Sequence, residues 1–321
     1  MAMNLKSKTI FMLLVFLTAC SPQIPAAAAA SAEAQELTIA AETQAAPQLA
    51  PTVESLSPYS LEALANREYG QGELRVEYAW QDKDEFTRYY ITYDSDGLNI
   101  HGYVNIPKGN GPFPVIIALH GYIPASDYET LDYSTRYADS IARKGYIVLH
   151  PNMRNFPPSD SPGRTRDYLA GYTVDVMNLL AYVRQMAGQD GIFKNADMSR
   201  MGIWGHSIGG GIALRVVNLV PEIKAAVLYG AVSQRYTNES AGFDVYNLDS
   251  DTAAFSVHHG ELDEVIDPQW SRKLCADLEA AGRDYECYFY EDQPHTFIRN
   301  GDADPLFIQR TVDFFARYLD N

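Results

Sequence analysis

Five residues, Gly205-His206-Ser207-Ile208-Gly209, constrain this chain more than any other stretch. They fit the pattern G-x-S-x-G, and their flanks match the setting that pattern requires. Met201-Gly202-Ile203-Trp204 reads as a short buried strand, and Gly210 to Val217 as a helix whose first turn packs tightly. A strand, a sharp turn and a helix in that order lift a serine hydroxyl out at the top of a sheet, in a strained conformation. Glycines two before and two after the serine let neighbouring backbone approach where a Cβ would clash. The stretch therefore predicts that Ser207 is a nucleophile rather than an ordinary turn residue.

A serine hydroxyl is a poor nucleophile until a base takes its proton, and the base needs an acid to orient it. In this setting the acid and then the histidine follow the serine along the chain. Ala254 to Ile266 reads as a strand ending in a loop, with Asp263 just past the strand end; Glu261, Glu264 and Asp267 are its rivals. Glu286 to Tyr290 reads as another strand, and His295 falls on the loop after it. Among the other histidines, His206 adjoins the serine but points away across the turn. His258 and His259 are expected to pack or to bond the backbone, and His101 and His150 have no acid or serine motif beside them. A tetrahedral intermediate also needs N–H donors for its oxyanion. One is expected from Ile208, the residue after the nucleophile. The other is expected from Tyr122, because Val115 to Leu119 is a continuous apolar run, as in a buried parallel strand, that leads into His120-Gly121-Tyr122.

The remaining sheet is expected from a leading antiparallel pair, Arg88 to Tyr93 and Leu98 to Asn105, followed by Val115–Leu119, Tyr146–His150, Met201–Trp204, Ala225–Tyr229, Ala254–His258 and Glu286–Tyr290. Helices are expected between them, for example Val174 to Met186 and Pro305 to Leu319. Fewer than 25 residues separate Gly230 from Ala253, which predicts a loop, a minimal cap and an open cleft. Tyr122, Tyr128, Tyr236 and Tyr246 sit in loops that either line that cleft or pack. Arg154 and Asn155 follow a strand end, where an acyl or carboxylate contact is conceivable.

Asp96 to Tyr103, Gly111-Pro112-Phe113-Pro114, Gly205 to Gly211, His259-Gly260 to Asp263 and Pro294-His295-Thr296-Phe297 together resemble the catalytic domain of the prolyl oligopeptidase family of serine hydrolases. Dienelactone hydrolases and related esterases share much of this pattern. The resemblance spans residues 86 to 321. It implies an α/β-hydrolase fold (class α/β, a mostly parallel central sheet with helices on both faces) and a triad of Ser207, Asp263 and His295. Peptidases of that family usually carry a large β-propeller ahead of the catalytic domain, and this sequence has no room for one. The expected activity is therefore acyl transfer to water on an ester or a short peptide. An inactive binding module on the same scaffold is the alternative from a different class.

The N-terminus places Lys6 and Lys8 ahead of Thr9 to Leu17, a charged segment and an apolar run too short for a comfortable membrane span. Leu17-Thr18-Ala19-Cys20 resembles the bacterial lipobox, which implies cleavage before Cys20 and lipid on that cysteine, in an extracytoplasmic, membrane-anchored protein. The expected organisation is a leader over 1–19, a lipidated, Ala/Pro-rich tether over 20–57 and a catalytic domain over 58–321. The tether has no lysine or arginine after Cys20 and no periodic large apolar residues, so it buries too little to fold alone. The formal net charge of −16 repels nucleic acid and anionic headgroups, and no nucleic-acid partner is expected. No Walker loop, Rossmann fingerprint or metal-ligand cluster is present, so neither cofactor nor metal is expected.

Cys275 and Cys287 remain. Trp270 to Ala281 reads as a helix and Tyr285 to Tyr290 as the strand after it. Cys275 lies about 10 Å back along the helix and Cys287 about 15 Å out along the strand. Those distances allow similar depths, so a disulfide and two buried free thiols are both open.

Overall fold

A computed structural model of the chain describes residues 59–163, 168–234, 246–248, 253–297 and 299–320, all within one unit, Glu54–Asn321. The leader, Cys20, the tether and Tyr236 lie outside the described residues, as does most of the expected minimal cap.

The sheet grows outward from the apolar run. Strand β4 (Phe113–Leu119) buries Val115, Ile117 and Leu119 in one cluster and Ile116 and Ala118 in another. Successive side chains of a strand point to opposite faces, so an unbroken apolar run demands cover on both. On one face that cover comes from α3 (Tyr168–Met186), α4 (Ile208–Leu219) and α5 (Pro268–Ala280), through residues such as Leu180, Ile212 and Leu274. On the other, α2 (Thr135–Ala142) and α6 (Ala303–Leu319) supply Tyr137, Ile141, Phe307 and Phe315. A short helix, α1 (Leu61–Ala65), precedes the sheet.

Among the described residues, nine strands form one sheet. With β1 (Leu74–Asp82), β2 (Phe86–Ser95), β3 (Leu98–Pro107), β5 (Ile147–Pro151), β6 (Ala196–His206), β7 (Ile223–Tyr229), β8 (Ala254–Gly260) and β9 (Tyr285–Tyr290), the order is β1-β2-β3-β5-β4-β6-β7-β8-β9. The first three strands and the β3–β5 contact are antiparallel; from β5 to β9 every pairing is parallel. All parallel strands end at the same edge, so the loops after β4, β6, β7, β8 and β9 converge there. The β2–β3 hairpin closes on Asp96-Gly97, both at positive φ (54° and 78°), as a two-residue turn of matching twist requires.

Several expected boundaries move. Strand β1 was not anticipated, because Leu-Arg-Val-Glu-Tyr-Ala-Trp-Gln-Asp is polar and sits at the exposed sheet edge. Strand β6 begins at Ala196 rather than Met201, since its first five residues are not buried and carry no apolar signal. Helix α4 begins at Ile208, directly after Ser207, rather than at Gly210, and α3 begins at Tyr168 rather than Val174.

Cys275 and Cys287 are joined by a disulfide, with Cα atoms 6.6 Å apart, which ties α5 to β9. Closing a loop of sequence separation 12 removes unfolded-state freedom worth roughly 3 kcal/mol on the chain-entropy account. Denaturant unfolding of the oxidised protein and of Cys275→Ala/Cys287→Ala should differ by about that amount. Equal midpoints would show that the bond constrains nothing.

Candidate active site

Ser207 stands between β6 and α4 at φ 57° and ψ −119°, a region that L-residues avoid. Two neighbours make the turn sterically feasible. A Cβ on Gly205 would fall 2.3 Å from the Gly209 carbonyl oxygen, and one on Gly209 would fall 2.3 Å from that of Leu119. Backbone bonds hold the strained residue: its N–H donates to Tyr229 O at 2.9 Å, and its carbonyl accepts from Gly210, Gly211 and Val232 at 3.0, 3.3 and 3.0 Å. Its hydroxyl has no hydrogen-bond partner among the described residues.

Asp263 lies on the loop after β8 and is held by four donors. Oδ1 accepts from Val265 N and Ile266 N, both at 2.8 Å. Oδ2 accepts from His295 Nδ1 at 2.7 Å and from His259 Nε2 at 2.9 Å. Burial pushes the carboxyl pKa up, but the bonds from His259, His295 and Ile266 and the His295 charge outweigh it, leaving it well below the usual carboxylate range. The acid therefore stays ionised. The two elements carrying Asp263 and His295 meet over Gly230, where a Cβ would lie 3.3 Å from His295 Nδ1 and 3.4 Å from Asp263 Oδ2. Gly230 follows Tyr229, whose carbonyl takes the Ser207 amide, so all three side chains gather at one sheet edge.

The rival acids do other things. Glu264 Oε2 accepts from the His295 amide at 3.3 Å rather than from its ring, Asp267 caps α5 through Gln269 N, and Glu261 pairs with Arg272. His101 bonds Tyr90 and Asn99, His150 bonds Ser134, and His258 bonds Ser256 and Tyr290. His259 bonds the backbone at Ile266 O as expected, and it also donates to the Asp263 carboxylate while Ser271 Oγ holds its other nitrogen at 2.6 Å. No spacing signal marks it, because the Ser271 contact is made across two elements.

On the opposite wall, Gly121 adjoins Ser207; a Cβ there would sit 3.1 Å from Ser207 Cβ. Gly121 N–H is taken by Tyr133 Oη at 2.7 Å. The next amide, Tyr122 N–H, has no acceptor among the described residues. Ile208 opens α4, where the first N–H groups have no carbonyl one turn back. The Tyr122 ring is 68% exposed. Tyr128 does not line an open cleft: its ring is buried against His120 and Phe156, at 4.9 and 5.1 Å. Tyr246 donates to Asp277 Oδ2 at 2.7 Å. Arg154 is no free acyl or carboxylate contact either, since its Nη2 and backbone N–H both bond Asp175 at 2.8 Å in a buried pair.

Strand order, elbow and connectivity define the α/β-hydrolase fold. The sequence pattern of the Dienelactone hydrolase family matches residues 100–319, and the chain belongs to that family. It is 28% identical over 131 residues to Esterase EstD of Thermotoga maritima, a match covering 40% of this chain and 28% of that protein. The chain thus spans under a third of that relative's length. Among solved structures it is similar to acetyl xylan esterase 1 from Thermoanaerobacterium sp. JW/SL YS485, with TM-score 0.58, 19% identity, and 75% of this chain and 88% of that one covered. It is also similar to the Pyrococcus horikoshii acylaminoacyl peptidase, with TM-score 0.56, 16% identity, and coverage of 74% and 42%.

Burial governs the histidines behind the site. Burial first, and His295 second, push the His206 pKa down to about 3 from an ordinary 6.5; burial lowers those of His150 and His258 as well. Between pH 6.5 and 3 the unfolded chain therefore binds a proton at His206 that the folded chain refuses. Stability is complete above that window and falls as pH drops through it, by up to about 1.4 kcal/mol per pH unit for one such histidine. His206→Gln should flatten the fall when unfolding free energy is measured from pH 7 to 4. An unchanged slope would show that His206 is protonated in the folded state.

Proposed function

We propose that this chain is an exported, lipid-anchored serine hydrolase that cleaves carboxylic esters through an acyl-enzyme. The observation that carries the reading is the 2.7 Å bond from His295 Nδ1 to an ionised, four-donor Asp263 at the edge where Ser207 is strained outward. A donor at Nδ1 leaves Nε2 as the basic nitrogen, the tautomer that a general base requires. Ser207 Oγ attacks the carbonyl carbon and passes its proton to His295 Nε2. Asp263 stabilises the imidazolium, and Ile208 and Tyr122 N–H groups hold the oxyanion. The intermediate collapses as His295 returns the proton to the departing alcohol. Water, deprotonated by His295, then releases the acid and restores Ser207.

Esters are preferred because the family and the EstD relative are hydrolases and esterases by name. Similarity to an acylaminoacyl peptidase supports short peptides as the second reading. A chromogenic panel of short acyl esters and aminoacyl amides separates the two, and no turnover of either would favour an inactive binding module. A fluorophosphonate should label the wild type, and Ser207→Ala should abolish labelling and lower turnover by several orders of magnitude, to about 10⁻⁶ of wild type. Asp263→Asn should fold normally and turn over about 10⁴-fold more slowly. Undiminished labelling of Ser207→Ala would discard the assignment.

The anchor reading rests on Leu17-Thr18-Ala19-Cys20. Among the described residues no helix is long and apolar enough to cross a membrane. Cys20→Ser should abolish lipidation and shift the protein out of the membrane fraction or leave it unprocessed; because one acyl chain binds only marginally, stable retention of the wild type implies more than one. Mass spectrometry showing a mature N-terminus other than a modified Cys20 would discard the anchor and leave the Ser207 chemistry untouched.

A further inference from the structure

Behind Ser207 runs a chain of hydrogen bonds that the proposed reaction does not itself use. Gly121 N–H donates to Tyr133 Oη at 2.7 Å. Tyr133 Oη bonds His206 Nδ1, and His206 Nε2 lies 3.1 Å from the carbonyl oxygen of His295. The chemistry sets the direction. A carbonyl oxygen only accepts, so Nε2 carries the ring proton; Nδ1 is then bare and accepts from the Tyr133 hydroxyl, whose oxygen takes the Gly121 amide. Burial keeps His206 neutral, so this direction holds over the working pH range. The chain starts one residue before Tyr122, passes behind the nucleophile and ends on the backbone of His295.

The surroundings leave it no slack. The His206 ring lies 4.3 Å from that of Tyr229 and 4.7 Å from that of His295. A Cβ on Gly121 would fall 2.8 Å from Tyr133 Oη, 2.9 Å from His206 Nδ1 and 3.1 Å from Ser207 Cβ. The Gly121 amide is thus committed away from the substrate, which leaves the Tyr122 amide as the one presented.

We propose that Tyr133 and His206 are positioning residues for acyl transfer, their hydrogen-bond chain fixing the loop that carries the Tyr122 amide against the loop that carries His295. The proposal rests on the serine-hydrolase reading above.

The test is steady-state ester hydrolysis by the whole protein, with kcat expressed per serine titrated by a fluorophosphonate. Tyr133→Phe keeps the ring and removes the link. It should lower kcat about 10- to 100-fold, the scale of a misplaced reacting group, because an oxyanion donor acts on the transition state. KM should stay within about twofold, and the titratable fraction should not change. His206→Gln breaks the same link while retaining a donor for His295 O. The double variant should then be no slower than the slower single variant, since one connection is lost only once. Three results would overturn the proposal: kcat per titrated serine within about twofold of wild type, losses that add in the double variant, or a lower titratable fraction with normal kcat, which marks a purely structural role. A wild type without Ser207-dependent turnover would remove the serine-hydrolase reading as well. Normal wild-type turnover with an unaffected Tyr133→Phe removes this proposal alone.

Discussion

Ser207 sits in a turn that cannot relax. Its φ of 57° costs on the order of 1–3 kcal/mol in isolation and persists only because the surroundings over-determine it. The restraints are backbone bonds to Tyr229, Gly210, Gly211 and Val232, which belong to the end of β7, to α4 and to the loop after β7. The same bonds that hold the serine outward therefore fix where that loop begins. Gly230 then packs under His295 and Asp263. Geometry at Ser207 and geometry at His295 are one constraint, transmitted through two residues of backbone.

Charge is distributed around that turn by burial and by donors in opposite senses. Asp263 is buried yet remains ionised, because four donors offset desolvation. His206, whose ring lies 4.7 Å from that of His295, is buried with one partner at each nitrogen, the Tyr133 hydroxyl donating to Nδ1 and the His295 carbonyl accepting from Nε2, and remains neutral. An anion beneath His295 and a neutral ring beside it suit the proton-shuttling role proposed for it.

What was legible in the sequence follows from periodicity and chain order. Unbroken apolar runs at Val115–Leu119 and Ala225–Tyr229 announce strands covered on both faces, and the structure covers them. Glycine at 205 and 209 announces a backbone approach that no side chain permits. The edge strand β1 and the first half of β6 were silent, because half-exposed strands carry no apolar pattern distinct from loop.

The candidate site divides the same way. The sequence by itself pointed to the turn at Ser207, the loops on which Asp263 and His295 ride and the amides of Tyr122 and Ile208 as candidates, because each follows a strand end and strand ends are written in local pattern. Only the tertiary structure decided that Oδ2 of Asp263 serves both His295 and His259, that Glu264 turns to the His295 backbone instead, and that Tyr133 reaches across 73 residues to His206. Apart from His259 and Asp263, which lie four residues apart, those contacts join groups far apart in the chain. Their partners are chosen by how helices and loops pack over the sheet edge, a quantity that no local stretch of sequence encodes.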